Sequence, residues 1–363
     1  MRDKNDIVWI SVPFVAGTGA AAAMDSPSLT GAVSLAAVAL CMLAAVHMRG
    51  KELPVTVLLF LSLGIFCWSS RAVFANFPVH GAGVLRSLAG DALTRLSEVI
   101  SRIPFPHTGT GPLLRALLTG QRDLLGRDTV GAFRSAGASH ILALSGLHLG
   151  VIYLILSRLL GIFGNSRAAW TLRSALIIAL SAFYVAMTGA SPSIVRAFLF
   201  ITMTEIARHC PGRRKTAISV WCTALLLQLS FSPESVSSIG FQLSYLAMLG
   251  IFTLFPFMKA WYPGIGGKAP GWDLLHRAWD AMALSISCQM FTAPLVWVTF
   301  HTFPKYFLLT NLIAMPLTGA LMGTGIATVV LEALPLPCPP ALVRLTDLLS
   351  TTLIRSLGII ASM

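Results

Sequence analysis

Charged side chains are scarce in this sequence: only 11% of its 363 residues are Asp, Glu, Lys or Arg, against roughly 25% in soluble domains. That shortfall excludes an ordinary water-soluble globular domain. Acids are the scarcer sign, 14 against 26 basic residues, so a site assembled from several carboxylates has little to draw on. The six cysteines (Cys41, Cys67, Cys210, Cys222, Cys288 and Cys338) are scattered, mostly within apolar runs, with no C-x-x-C pair and no His-Cys ligand spacing. They read as small core residues, and no disulfide, metal site or cofactor is expected.

Apolar residues fill the space, at 55% of the chain. The expected fold class is an all-α integral membrane protein, a polytopic bundle of ten or eleven transmembrane helices with an extracytoplasmic amphipathic segment. An apolar run behind basic residues at the N-terminus resembles a signal peptide, but two more runs follow at 29–47 and 54–69, which favours a retained first helix. Further runs lie near 173–189, 194–209, 216–231, 239–257, 278–300, 306–333 and 342–361. The last carries Arg344, Asp347 and Arg355, a composition that also suits the interface. Three regions follow: N-terminal transmembrane helices at 1–75, interfacial amphipathic helices at 76–138, and a transmembrane domain at 139–363.

Within the second region, Val84, Leu85, Leu88, Ala92, Leu96, Val99, Ile100 and Ile103 recur at three and four, with Arg86, Asp91, Arg95, Glu98 and Arg102 off that stripe. This pattern predicts a helix lying in the membrane surface. IPFPHTGTGP ends it, and two shorter helical pieces follow. The net charge of +12 says less about nucleic acid than it would in a soluble chain, because cytoplasmic loops collect Lys and Arg. Its placement is informative: His47 to Lys51, Arg167 with Arg173, Arg208 with Arg213 to Lys215, and Lys259, Lys268 and Arg277 all fall in alternate connections. A cytoplasmic N-terminus follows, with 76–138 outside and 208–215 inside.

The stretch SHILALSGLHLGVIYLILSRLLGIFG, from residue 139, is long enough to cross a bilayer, yet its first half holds His140, Ser145, Gly146, His148 and Gly150. Polar groups inside a membrane helix are costly unless they face a partner or a wet cavity. As one helix, it would place Ser145 and His148 on a common face and pair Gly146 with Gly150 as a small-x-x-x-small packing stripe. A packing helix whose Ser bonds its own backbone is the plainer alternative. GASPSIVRA predicts a helix start with Ser191 as N-cap, Pro192 at the first helical position, then Ser193, and Arg196 one turn on. Gln242 and Ser244 lie near the outer end of their helix, Gln289 is mid-helix ahead of Pro294, which is expected to kink it, and Asn311 with Pro316 lies on a helix expected to be broken; for each, interhelical hydrogen bonding is as good a reading as a site. In the assigned topology these polar groups occupy the outer half of the membrane, with His148 about 12 Å below His140.

HILALSGLHLG resembles the signature of the ComEC-type competence proteins, an inner-membrane DNA-uptake family. LLRALLTGQRDLL, GASPSIVRA, GFQLSYLAMLGI and NLIAMPL follow the same resemblance in the same order, over roughly 81–334. The resemblance implies a channel of the bacterial inner membrane that passes single-stranded DNA during natural transformation. Carried onto this chain, the implied channel-lining residues are His140, Ser145, His148, Ser191, Ser193, Arg196, Gln242 and Asn311. Two family features are missing: an OB-like domain after the first helices, for which Arg71 leaves no room before the amphipathic helix, and a metallo-β-lactamase-like domain with an H-x-H-x-D-H motif. The implied partners are single-stranded DNA and membrane lipid. A DNA receptor, a nuclease and a cytoplasmic motor are left to separate competence proteins, and a homodimer remains open.

Two readings from other classes stand beside this one. A secondary transporter of a small polar solute would use the helix breakers, although Glu205 is nearly alone as a membrane acid and no inverted repeat is visible. An intramembrane hydrolase would use Ser145 with His140 or His148, but two neighbours on one helix make a poor nucleophile and base. The expectation is therefore a non-enzymatic protein.

Overall fold

The computed structural model describes residues 6–24, 27–47, 52–74, 82–164, 166–209, 216–261, 272–301, 305–334 and 338–363. The basic residues expected inside at 48–51, 213–215 and 268, and Cys210, lie outside these, as do 76–81 of the expected outer segment. The helices in chain order are α1 (Asp6–Ala22), α2 (Pro27–His47), α3 (Glu52–Phe74), α4 (Ala82–Arg102), α5 (Thr110–Thr119) and α6 (Arg127–Ser135). Then come α7 (Ser139–Leu142), α8 (Gly146–Leu159), α9 (Arg167–Met187), α10 (Pro192–Arg208), α11 (Ala217–Phe231) and α12 (Ile239–Thr253). The last are α13 (Phe255–Ala260), α14 (Trp272–Phe300), α15 (Phe307–Ala333) and α16 (Pro340–Ala361).

Among the described residues, five stretches are long and apolar enough to cross a membrane: Pro54–Arg71, Arg167–Met187, Ile239–Ala260, Leu275–Phe300 and Phe307–Ala333. Four shorter apolar helices accompany them, at Ile7–Ala22, Thr30–Met42, Gly146–Ile162 and Ala217–Phe231. The chain is an all-α polytopic membrane protein. The remaining two expected spans, α10 and α16, miss that standard because α10 has only 17 residues and carries Arg196, Glu205 and Arg208, and α16 carries Arg344, Asp347 and Arg355.

The helices sort into two compact units. One unit takes residues 1–80 with 210–252, the other 81–209 with 253–363. In the first, α3 packs on α1 and α2, and α11 on α1. Its core is Phe14, Leu225, Leu229, Phe241 and Tyr245. At Gly17 and Gly64 the absence of a side chain lets the α1 and α3 backbones touch, since a Cβ on Gly17 would strike the Leu61 carbonyl and one on Gly64 the Phe14 carbonyl.

In the second unit α5 is the centre. Leu113, Leu114, Ala116 and Leu117 are fully buried, and α4, α15 and α16 pack around them. The core spreads to Ile100, Phe133, Leu321, Met322, Leu353 and Leu357. The segment 82–138 is therefore integral to the packing of the larger unit. On α4, Ala89, Ser97 and Ile100 form the buried stripe, while Val84 and Leu88, expected on it, are 70% and 55% exposed. Helices α14 and α15 run continuously through Pro294 and Pro316, so the break expected at Pro316 does not occur. A proline removes one backbone donor and need not end a helix that is packed on both sides of it.

Candidate functional site

The stretch 139–164 is not one helix. Helix α7 ends at Leu142, Ala143 is extended, and α8 starts afresh after Ser145, its N-cap. The break is held from several directions. Thr310 of α15 donates to the Ala136 carbonyl at 2.7 Å. Tyr184 of α9 donates to the Leu118 carbonyl at 2.9 Å. Leu144 packs over Gly120, whose φ of 81° ends α5 in the left-handed region and whose missing Cβ makes room for it.

At the new helix start His148 folds back on the cap. Its Nδ1 accepts the Ser145 backbone N–H at 3.1 Å and lies 3.0 Å from Ser145 Oγ. A ring nitrogen that accepts must be unprotonated, so the neutral imidazole carries its proton on Nε2. His148 is 0% exposed, and Nε2 has no hydrogen-bond partner among the described residues. The depth calculated for a continuous helix does not apply to His140, which is exposed on α7, across the break. A Cβ on Gly146 would lie 3.6 Å from that of Ala197 on α10, an ordinary van der Waals contact. Gly150 is exposed, and nothing described lies within 4 Å of its Cβ position.

Helix α10 begins as the sequence predicts, with Ser191 at the N-cap and Pro192 at its start. The preceding reversal is tight: Gly189 and Ala190 have φ of 79° and 49°. Ser191 Oγ makes no capping bond and is buried without a partner among the described residues. Ser193 is half-buried on the first turn, and Arg196 is 7% exposed. Leu149, Tyr184, Val185 and Ile194 seal α8, α9 and α10 together. On α15, which packs against α8, Asn311 Oδ1 is likewise enclosed without a partner among the described residues. The larger unit thus gathers His148, Ser191 and Arg196 on two packed helices, with Asn311 on a third.

Gln242 belongs to the smaller unit, and its Nε2 donates to the Val236 carbonyl at 2.8 Å. That amide nitrogen serves its own turn, a role its position near a helix start did not reveal.

Two polar clusters escaped the sequence reading. Glu205 of α10, 1% exposed, accepts from Tyr153 at 2.8 Å, Ser174 at 2.8 Å and Arg208 at 2.9 Å. His209 Nε2 lies 3.0 Å from Ser174 Oγ, and its ring meets Trp170 edge-on. The acid thereby ties α8, α9 and α10 at the ends opposite Ser145 and Ser191. Asp347 of α16 accepts from the His107 backbone N–H at 3.1 Å and Thr110 Oγ1 at 2.7 Å, and lies 2.6 Å from His107 Nδ1. It anchors the start of α5. Among the described residues no three His, Cys, Asp or Glu side chains gather as metal ligands would.

Residues 117–363 match the model of a family described as competence protein. The chain is 25% identical over 230 residues to ComE operon protein 3 of Bacillus subtilis (strain 168), covering 63% of this chain and 27% of that protein. It is 25% identical over 238 residues to the uncharacterized protein YcaI of Escherichia coli (strain K12), covering 64% and 30%. Competence protein ComA of Neisseria gonorrhoeae is 31% identical over 140 residues, covering 37% and 20%. The chain matches less than a third of each relative's length. No solved structure is a significant match.

Proposed function

The chain belongs to the competence-protein family, and from that premise we propose that it is a channel of the bacterial inner membrane which imports single-stranded DNA during natural transformation. Its N-terminus is cytoplasmic, and the starts of α8 and α10 face outward. It works together with other components of the competence machinery.

The observation that carries this reading is the set of enclosed polar groups in an apolar bundle. His148 Nε2, Ser191 Oγ and Asn311 Oδ1 are buried without hydrogen-bond partners among the described residues. Leaving each unsatisfied costs about 1–3 kcal/mol. Groups kept at such cost suit a path that fills with a polar guest. A phosphodiester needs donors and a little fixed positive charge to pass low-dielectric walls, without being held too tightly to leave. The α10 N-terminus offers the positive end of its dipole. Arg196 adds the fixed cation, and the neutral His148 offers Nε2–H.

The test is DNA import by variants whose membrane abundance is measured in parallel. Arg196→Ala and His148→Ala are each expected to leave the protein inserted and cut import by at least about tenfold, the loss of one charge-assisted contact. Arg196→Lys should restore part of it, because the charge survives while the planar fork is lost. Wild-type import by a normally abundant double variant would defeat the assignment.

One observation favours a second reading. Ser145 Oγ is 3.0 Å from His148 Nδ1, a nucleophile–base distance that a shared helix face alone did not promise. The same Nδ1 already accepts the Ser145 N–H, and no described group accepts from Nε2 to orient the ring. Covalent labelling of Ser145 by a fluorophosphonate would favour a hydrolase.

A further inference from the structure

The motif LLRALLTGQRDLL has no part in the path just described, yet its Arg115 and Gln121 line a cavity of their own. That cavity, 420 Å³ between α4 and α5, is walled by Thr94, Ser97, Ser101, Arg102, Arg115 and Gln121. Gln121 Oε1 accepts from Arg115 Nε at 2.8 Å and from Ser97 Oγ at 3.0 Å. Its carbonyl is therefore occupied, and two amide N–H groups are the side chain's remaining capacity. Arg115 spends Nε on that bond and holds Asp123 only at 3.8 Å, so most of its guanidinium donors stay uncommitted. The one acid in the wall, Glu98, lies 3.9 Å from Arg102. Each guanidinium has one carboxylate beside it, Glu98 by Arg102 and Asp123 by Arg115, but at 3.9 and 3.8 Å neither makes a close hydrogen bond, so with the turned amide the cavity stays rich in donors and suited to an oxyanion.

A second cavity of 200 Å³ adjoins it, sharing Ser101 and Arg115, with Phe105, His107, Pro112 and Leu124 in its wall. His107 is held through Nδ1 by Asp347, and its side chain is 56% exposed. Arg115 thus stands between a cationic cavity and one edged by a phenyl ring and an imidazole. That is the pairing by which proteins hold single strands: a cation for the backbone, a ring for the base. A lipid headgroup would use the first cavity and leave the second without purpose.

We propose that this shoulder between α4 and α5 docks one nucleotide unit of a single-stranded nucleic acid, its phosphate on Arg115, Arg102 and Gln121 and its base on Phe105 and His107. The site rests on the channel reading only for the choice of a strand as ligand, and it serves to present that strand to the membrane path.

The probe is a fluorescent twelve-residue oligothymidylate, titrated by anisotropy onto the full chain in phosphatidylcholine nanodiscs. Arg115→Gln and Gln121→Glu are each expected to weaken binding at least tenfold. Arg115→Gln should also lower the slope of log affinity against log salt by about 0.7, one phosphate contact on a single strand. Because Arg115 sits on the central helix, Arg102→Gln combined with Gln121→Glu gives a second test at more exposed positions, with the same expected loss. Phe105→Leu should weaken the oligothymidylate more than an abasic strand of equal length. Unchanged binding in the folded variants would overturn the docking site while leaving the channel assignment intact. Binding that depends on Arg115, in a protein whose import ignores Arg196, would uphold the docking site and sink the path. Variants that bind the strand normally but lose a preference for phosphatidylglycerol over phosphatidylcholine would make the cavity a lipid-headgroup site, overturning the proposal.

Discussion

Asp347 is nearly buried, with a side chain 6% exposed, on a helix outside the five membrane-length stretches. Burial alone would raise its carboxyl. Hydrogen bonds from His107 and Thr110, with the charge on His107, outweigh burial and hold it below the usual carboxylate range. A depressed folded pKa stabilises the fold above the unfolded value, about 4, and that contribution is lost as pH falls through the lower folded value. Asp347→Asn should therefore cost about 1–3 kcal/mol near neutral pH. In thermal unfolding of detergent-solubilised protein, the gap in Tm between wild type and variant should hold from about pH 5 to 7 and close below about pH 4. A gap that persists in acid would remove the carboxylate from the account. Thr110 and Asp347 are 237 positions apart, so neither residue advertised the other in the sequence.

At the scale of helices, the α1–α3 crossing rests on bare backbone. Thr18 Oγ1 bonds the Phe14 carbonyl at 2.9 Å and approaches that of Gly64 at 3.5 Å, filling the seam that Gly17 and Gly64 open. Without a hydrophobic driving force between helices in lipid, close contact supplies much of the attraction. Gly17→Val or Gly64→Val must push the helices apart and should lower stability by about 1–3 kcal/mol, measured as loss of Tm in detergent. Gly19, with nothing described within 4 Å of its Cβ position, should accept the same change with little effect. Helices α8 to α10 are joined differently, by the Glu205 cluster at one end and by Leu149 and Ile194 near the other. A polar tie and an apolar seal fix how the starts of α8 and α10 meet.

For the whole molecule the open question is which way it faces. The basic connections argue for an inside N-terminus, and exposed positions make that testable. In a cysteine-free background, Leu124→Cys should react with an impermeant maleimide added outside intact cells. Trp261→Cys should react only after the membrane is opened. Both side chains are exposed, at 54% and 70%. The reverse pattern would invert the molecule and place the α4–α5 cavity away from incoming DNA.

The sequence by itself determined whatever depends on neighbours along the chain. Scarce charge and long apolar runs made the protein a polytopic membrane bundle, and Ser191 with Pro192 marked the start of α10 because a cap and a fixed φ act within one turn. The apolar character of HILALSGLHLG was legible too, but its break at Ala143 was not. Local pattern favours an unbroken helix there, and what lies against the break is Gly120 at the end of α5, whose missing Cβ leaves room for Leu144. Pro316 fails in the opposite sense: local pattern predicts a break, and the helix runs whole through it. Only the tertiary structure decided that Glu205 ties three helices, that Gln242 serves its own turn, and that residues 210–252 join the first helices instead of their sequence neighbours. Each depends on which surfaces meet, and side-chain contact between distant segments leaves no periodicity in a single sequence.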